Sequence, residues 1–216
     1  MTRASLMQVY GRLFRAYGAQ NWWPAQTPFE MMLGAVLTQN TAWRNVERAL
    51  DALGRTVTPG EVAKMPEDVI KDRIRPSGFF NQKAPRLKAL ARWTLCEEGR
   101  EAGQSDMGTA ALRAQLLEIN GVGRETADSI LLYAFSRPVF VVDAYTRRVF
   151  ARLGYAVARD YDDFAAAFYR GLKHEHTLFN EYHALIVTHC KSRCFKNRPD
   201  CAQCPLKALC KINKQA

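Results

Sequence analysis

The sequence predicts an all-α protein, and two observations lead to that prediction. Apolar residues recur every three or four positions along most of the 216-residue chain, which is the spacing of the buried face of a helix. No stretch shows the sustained alternation of apolar and polar residues that marks a half-buried strand. Helix-capping signals add to the pattern, because Thr27 to Glu30 and Thr58 to Glu61 each combine a threonine, a proline and a glutamate.

The first half of the chain contains six predicted helices. They end where glycine, proline or polar residues interrupt the apolar spacing. Residues 76–81 form a predicted loop, and the polar, glycine-containing residues 99–108 form a linker. The predicted helices span residues 6–17, 29–37 and 46–53, a short stretch after Thr58, a stretch that Pro66 opens, and a long stretch from about 84 to 98 with Pro85 in its first turn.

The most informative pattern lies between residues 117 and 143. A helix with Leu112 and Leu116 on its apolar face leads into the Gly-Val-Gly turn at 121–123, which is too rich in glycine to continue a helix. A second helix follows directly. Two helices joined by so short a hairpin present backbone N–H groups at the start of the second helix, and these form a ready site for a phosphate oxygen.

A short apolar run then carries the chain to an aspartate. Val139 to Val142 follow Pro138, and Asp143 stands where the next helix begins. An aspartate in this position is a common helix N-cap, so the residue has a structural role available to it whatever its chemistry. The remaining predicted helices end at Gly154 and span residues 160–172 and 179–189.

Composition indicates a polyanionic partner. The chain carries 31 Lys and Arg against 21 Asp and Glu, a formal net charge of +10, and nucleic acid is the commonest partner of such proteins. No apolar run approaches the roughly 20 residues of a membrane span. The N-terminus lacks the apolar core of a signal peptide, so we expect a cytoplasmic, nucleoid-associated protein that does not bind membranes.

Cysteines are concentrated near the C-terminus. In a cytoplasmic protein they are more often metal ligands or free thiols than disulfides. Four thiolates within so short a loop suit either tetrahedral zinc or a [4Fe–4S] cluster. Cys190 is interpreted as an extra thiol and Cys96 as a core residue. The spacing C-x6-C-x2-C-x5-C is formed by Cys194, Cys201, Cys204 and Cys210.

The hairpin, the downstream aspartate and the cysteine loop together resemble the base-excision DNA glycosylases related to endonuclease III. The resemblance implies a two-lobed helix-hairpin-helix glycosylase fold whose cysteine loop holds a [4Fe–4S] cluster. It implies a helical barrel domain with the hairpin at residues 26–135. A helical iron–sulfur domain is formed by residues 1–25 and 136–216, with the active site between the lobes. We expect a monomer that binds double-stranded DNA containing damaged bases.

Asp143 stands where this family keeps its catalytic aspartate. A carboxylate beside the sugar can stabilise the positive charge that builds up as the base leaves, and it can orient or deprotonate a water molecule. Bifunctional members of the family carry a lysine nucleophile two residues after the hairpin, but this chain has Glu125 there. Because a carboxylate cannot form a Schiff base, the expected activity is monofunctional, without β-lyase chemistry.

The residues expected to hold the base resemble the 3-methyladenine DNA glycosylase III branch. That branch stacks alkylated purines on aromatic rings, and a cationic purine is favoured by an electron-rich ring face. The segments that carry this resemblance are Trp22-Trp23-Pro24, 37–41, 78–83 and 125–131. The expected substrate-binding residues are Trp22, Trp23, Pro24 and Trp43, and the expected DNA-binding residues are Gln39, Phe80, Asn81, Gly121, Val122, Gly123, Arg124 and Thr126.

Three other functions stay open at the level of sequence. The first is a glycosylase for mismatched or oxidised pyrimidines, like endonuclease III. The second is a DNA-binding relative without catalysis that uses the same hairpin as a phosphate clamp. The third is a redox iron–sulfur protein. The spacing of His183, His189 and Lys191 on the last predicted helix assigns them no role.

Overall fold

The structure is a computed structural model that describes residues 1–96 and 107–212. Residues 97–106, which hold most of the predicted linker and the predicted end of the long helix, lie outside the described residues. Every regular element in the described part of the chain is helical, so the all-α prediction is confirmed there. The helices are α1 (Arg3–Tyr17), α2 (Pro28–Leu37), α3 (Trp43–Leu53), α4 (Pro59–Lys64), α5 (Glu67–Ile74), a 3-10 helix (Arg75–Ser77), α6 (Phe80–Leu95), α7 (Thr109–Glu118), α8 (Arg124–Tyr133), α9 (Ala144–Arg152), α10 (Tyr161–Gly171) and α11 (His176–Ser192).

The chain divides into two compact units. The first unit comprises Met1–Trp22 and Pro138–Ala216, and the second comprises Trp23–Arg137. No helix in the described residues is long and apolar enough to cross a membrane.

In the second unit, α2 is the central helix. All but the first of its residues are buried, and it packs against α3, α6 and α8. Its N-terminus is capped by the Thr27 side chain, which accepts a hydrogen bond from the Glu30 backbone N–H at 3.0 Å, as the sequence predicts. Glu30 is itself buried and pairs with Arg55 at 3.1 Å, which compensates its charge inside the unit.

In the first unit, aromatic rings form the core. The Phe140 ring stacks on Phe168 with a centroid distance of 3.9 Å, and Phe150 meets the same ring edge-on at 4.9 Å. The fully buried Tyr182 of α11 donates its hydroxyl to the Leu6 carbonyl of α1 at 2.8 Å. A helix from the start of the chain and a helix from its end are therefore joined in one core.

The long helix of the second unit and the last helix differ most from the sequence-based expectation. The long helix begins at Phe80, four residues earlier than predicted, so part of the expected loop 76–81 is helical. Pro85 is therefore inside α6 rather than in its first turn, and the hydrogen bond it cannot donate is the one to Asn81 at the helix start. The last helix extends to His176–Ser192 because polar residues at both ends continue it without an apolar signal.

Candidate functional site

The hairpin between α7 and α8 is built around a glycine in the left-handed region. Gly121 has φ +85°, a backbone conformation that L side chains rarely adopt. A Cβ atom at this position would lie 2.2 Å from Cδ of Arg86, so a side chain here would also displace the Arg86 side chain. The next residue, Val122, is buried and anchors the turn, whereas Arg124 and Glu125 are exposed at the start of α8.

The start of α8 has no side-chain cap. Its N-cap is Gly123, which has no side chain to accept from the first-turn N–H groups. A helix N-terminus of this kind favours an anionic oxygen, because its backbone donors and its dipole both attract negative charge. The structure thus brings together the expected phosphate-binding residues of the hairpin.

A buried ion pair joins the two hairpin helices. Arg113 of α7 donates through Nε and Nη2 to the two carboxylate oxygens of Asp128 of α8, at 2.6 and 3.2 Å. Asp128 is buried, so this bidentate pair is screened little by water and fixes the angle between α7 and α8.

Gln39 connects the loop after α2 to this hairpin. Its Nε2 donates to the Gly121 carbonyl at 3.0 Å and lies 2.9 Å from the Thr126 hydroxyl oxygen. Its Oε1 accepts from Arg86 at 2.8 Å. The amide of Gln39 is therefore held on both sides within the second unit, and Thr126 is a buried partner of that amide rather than an exposed surface residue.

The exposed aromatic residue of the loop before α6 is Phe79. Its side chain is 58% exposed and its backbone is left-handed, with φ 48°. Phe80, one of the residues expected to contact DNA, is half-buried beneath the guanidinium of Arg75, which lies 4.7 Å from the ring centroid. Asn81 is exposed in the first turn of α6. The sequence pattern favoured Phe80 over Phe79 as a DNA contact, but Phe79 is the more exposed of these two adjacent aromatic residues.

Asp143 is the N-cap of α9. Its Oδ1 accepts a hydrogen bond from the Thr146 backbone N–H at 2.7 Å, and its side chain is 14% exposed. Nε2 of His183, on α11, lies 3.5 Å from Oδ2. One carboxylate oxygen thus has a structural task, and the other faces an imidazole.

The surroundings of Asp143 keep its carboxylate ionised. Burial alone would raise its pKa, but the nearby His183 and the hydrogen bonds from Thr146 outweigh burial and lower the pKa of Asp143 below its ordinary value. The carboxylate is consequently charged at neutral pH. Nothing in the sequence identified His183 as the partner, since the two residues are 40 positions apart and meet only through tertiary packing.

The expected base-binding tryptophans fall in different units. In the second unit, Trp23 meets Trp43 edge-on with a centroid distance of 4.9 Å and lies 5.2 Å from the Tyr133 ring, which the sequence did not single out. In the first unit, Trp22 lies under the ammonium of Lys191, 5.4 Å from the ring centroid. Pro24 is exposed.

A cavity of about 210 Å³ opens beside Trp23. It is bounded by Trp23 and Tyr133 on one side and by the start of α2 on the other. The opposite edge of the Trp23 ring packs on Gly34, where a Cβ would lie 3.4 Å from the indole, so the ring is wedged between α2 and the cavity. Trp43 does not line the cavity and supports Trp23 from the side.

The cysteine loop lines a second cavity. Among the described residues, no group of three or more His, Cys, Asp or Glu side chains is arranged to hold a metal ion as it stands. The donor set nevertheless fits a cluster, because four thiols line one cavity, and burial followed by the other three thiols raises the pKa of Cys204. The thiols are those of Cys194, Cys201, Cys204 and Cys210.

Two basic side chains reach the thiols of this loop. Arg152 of α9 donates to Cys194 Sγ at 3.1 Å, and Nε2 of His189 lies 3.8 Å from Cys204 Sγ. A hydrogen bond from Cys190, followed by those from His189 and Arg152, lowers the pKa of Cys194, so this thiol is already favoured as the thiolate that a metal requires. Cys190 is buried, whereas Cys96, which was expected in the core, is half-buried and donates to the Trp93 carbonyl.

Comparison with known proteins identifies the family. Residues 33–173 match the HhH-GPD superfamily of base excision DNA repair proteins. A protein of Methanocaldococcus jannaschii that carries the provisional name DNA repair glycosylase is 48% identical over 210 residues, 95% of each chain. Endonuclease III of Thermotoga maritima is 29% identical over 189 residues, 87% of this chain and 84% of its own.

A solved structure extends the comparison. The H. pylori 3-methyladenine DNA glycosylase MagIII, determined with 1,N6-ethenoadenine bound, superposes with a TM-score of 0.72 and 28% identity. The match covers 88% of this chain and 98% of that one. The resemblance on which the sequence-based expectations rest is thereby confirmed, and the chain belongs to the HhH-GPD superfamily of base excision DNA repair proteins.

Proposed function

We propose that the protein is a monofunctional DNA glycosylase that removes alkylated purines, such as 3-methyladenine, from duplex DNA. The observation that carries this proposal is the ionised, helix-capping Asp143 beside His183, in a chain that has Glu125 where a lyase would have lysine. Membership of the family supports removal of a base from DNA as the reaction, and these residues support water as the nucleophile.

The chemistry assigned to Asp143 is electrostatic. Loss of the base leaves positive charge on the sugar, and a fixed carboxylate stabilises that charge without having to reorient. Oδ1 is held by the cap, so Oδ2 is the oxygen available to the sugar or to a water molecule. His183 keeps the carboxylate charged, so that Oδ2 can orient a water molecule or take a proton from it.

DNA contact is assigned to the hairpin and to the two loops of the second unit that carry Gln39 and Phe79. The uncapped start of α8 would bind a phosphate oxygen, and the exposed Phe79 is a better candidate than Phe80 for an aromatic ring that enters the base stack. Lys83 offers no alternative nucleophile, because its side chain is buried and its ammonium donates to two backbone carbonyls.

The choice of an alkylated purine rests on Trp23 and Tyr133. An electron-rich ring face stabilises a cationic purine by about 1–2 kcal/mol when water is excluded, which suits the cavity beside Trp23. The MagIII structure holds a modified adenine, which favours the same class. Endonuclease III relatives leave oxidised or mismatched pyrimidines as the second candidate.

Four cysteines would hold a [4Fe–4S] cluster in the C-terminal loop. When bound, the cluster cross-links residues 194–210 and needs no part in base removal. The loop also carries Arg193, Lys196 and Arg198, and a loop held in one conformation can present such cations to phosphates at lower entropic cost. Iron and sulfide analysis of purified protein, with a brown colour expected, tests this assignment against zinc.

A panel of duplexes, each with one defined lesion, tests the reaction. The protein is incubated with each duplex, and half of every sample is then treated with alkali to cut abasic sites. Release of 3-methyladenine with cleavage only after alkali supports the proposal. Release of oxidised or mismatched pyrimidines alone would move the chain to the second candidate. Binding without release from any duplex would indicate a non-catalytic relative.

A further inference from the structure

Lys83 is a buried cation that the proposed reaction does not use. Its side chain is 1% exposed, although a lysine is among the residues least often buried. Burial, followed by the nearby charge of Arg86, lowers the pKa of Lys83 to about 8. Because burying a charged group is unfavourable, the ammonium is expected to have specific hydrogen-bond partners. Both of its partners are backbone carbonyls.

The two carbonyls belong to the ends of two helices. Lys83 Nζ donates to the Leu37 carbonyl and to the Ser77 carbonyl, each at 2.8 Å. Leu37 is the last residue of α2, and Ser77 is the last residue of the 3-10 helix. Carbonyls at a helix C-terminus lack hydrogen-bond partners within the helix and lie at the negative end of its dipole. A cation there donates hydrogen bonds to them and also interacts favourably with the dipole.

Each of these helix ends leads directly into a loop that contains an exposed residue, Asn40 in the first and Phe79 in the second. After Leu37 the chain enters the loop with Gln39, and after Ser77 it enters the turn with Phe79. Both loops contain a non-glycine residue in the left-handed region, Asn40 with φ 54° and Phe79 with φ 48°. Asparagine adopts this conformation readily, but a bulky residue such as Phe79 keeps it only where the surrounding structure holds it. One ammonium group ties the start of both loops to α6.

Arg86, one turn further along α6, continues the same arrangement. It donates to the Gln39 side chain, and its aliphatic part covers Gly121 of the hairpin. One face of α6 thus contacts the Gln39 loop, the Phe79 loop and the hairpin turn.

We infer that Lys83 is a positioning residue that fixes the Gln39 and Phe79 loops in the arrangement needed to open a DNA duplex, without contacting DNA itself. This inference rests on the proposed function, because those loops are assigned to DNA there. Direct phosphate contact does not fit a side chain that is 1% exposed. The role is distinct from that of exposed lysines, which act through long-range charge.

The test compares Lys83→Met with Lys88→Met. Methionine fills much of the same volume but cannot donate to either carbonyl. Lys88 is a matched control on α6, since its Nζ also donates to a backbone carbonyl, that of Met65 at 2.6 Å, away from both loops. The probe is a duplex with a tetrahydrofuran abasic analogue opposite 2-aminopurine, whose fluorescence rises when the base is unstacked.

K83M is expected to lose at least four-fifths of the wild-type fluorescence rise at saturating protein. The slope of log Kd against log salt should stay unchanged, because no phosphate contact is lost. K88M should match the wild type in both measurements. A full fluorescence rise with K83M, or a salt slope that falls by about one, would overturn the inference.

Folding and the proposed function are controlled separately. Thermal unfolding and circular dichroism show whether K83M folds. Should it not fold, Lys83→Gln carries the test, since its amide is uncharged and one atom shorter than the ammonium and is not expected to hold both carbonyls. A K83Q fluorescence rise clearly below that of the wild type supports the inference, and an equal rise overturns it. A wild-type protein that opened no lesion duplex would remove the proposed DNA role and the inference with it.

Discussion

α8 and α9 begin in opposite ways. α8 starts after Gly123, which contributes no side chain to its first turn, whereas α9 starts at Asp143, whose carboxylate accepts from the Thr146 N–H. The first arrangement leaves the positive end of a helix for an external anion, and the second places a permanent anion there. The same element of structure can therefore bind a charge or present one, depending on whether a single side chain occupies the N-cap.

Asp143→Asn should have the largest effect, and it tests the α9 half of this comparison. Asparagine also caps helices, so we expect the fold and DNA binding to be preserved. Excision should fall by at least a factor of about 100, since the charge that stabilises the sugar is lost. Single-turnover excision and Kd measurements check this. Excision within tenfold of wild type would show that another group carries the reaction.

Gly121→Ala and Gly123→Ala test the α8 half of this comparison. The first tests the effect of backbone strain at the turn, and the second tests whether a phosphate approaches it. Gly121 is left-handed and covered by Arg86, so alanine there should lower stability by roughly 1–2 kcal/mol and weaken DNA binding. No atom lies within 4 Å of the Cβ position of Gly123, so alanine there should leave stability unchanged. If a phosphate approaches that position, DNA affinity alone falls; unchanged affinity in G123A would argue against phosphate binding at this turn.

His183→Ala should have a moderate effect that depends on pH. With His183 absent, burial dominates and the pKa of Asp143 rises above its lowered native value. The native carboxylate stabilises the fold at pH values above the pKa that it has in the unfolded chain. This stabilisation is lost as the pH falls through the pKa of Asp143 in the folded protein. The acid limb of the excision profile should therefore move to higher pH. His174→Ala is the control, because His174 is exposed and contacts the Tyr169 carbonyl; an identical shift there would rule out a specific effect.

Glu125→Lys should have the smallest effect. Glu125 is exposed in the first turn of α8, so lysine should be tolerated there and would supply the amine that the family's lyases carry. We expect a small fraction of protein trapped on DNA by borohydride, against none for the wild type. Trapping by the wild-type protein would contradict the monofunctional proposal.

Those parts of the fold and of the candidate site that are formed by residues adjacent in sequence could be predicted. The hairpin turn at 121–123, Asp143 and the cysteine spacing are all short motifs whose chemistry is visible in adjacent residues. Helix positions followed from apolar spacing, because burial of one face is what most helices depend on.

The other residues of the candidate site depend on tertiary packing. Lys83 is buried although lysine is hydrophilic, because two carbonyls at helix ends distant in sequence accept hydrogen bonds from its ammonium. His183 reaches Asp143 only because α9 packs on α11. Phe79 is exposed and Phe80 is covered because the left-handed backbone at Phe79 turns the first ring outward before α6 begins.

Under the proposed function Asp143 is both a helix cap and the catalytic carboxylate, and this combination has a consequence for natural variants. Residues that can replace it as a cap, such as asparagine or serine, keep the helix while removing the charge. Such a substitution would therefore abolish base removal without lowering the stability of the protein. A variant of this kind would persist as a well-folded protein that still occupies lesions, and it would shield damaged bases from other repair enzymes instead of merely failing to remove them.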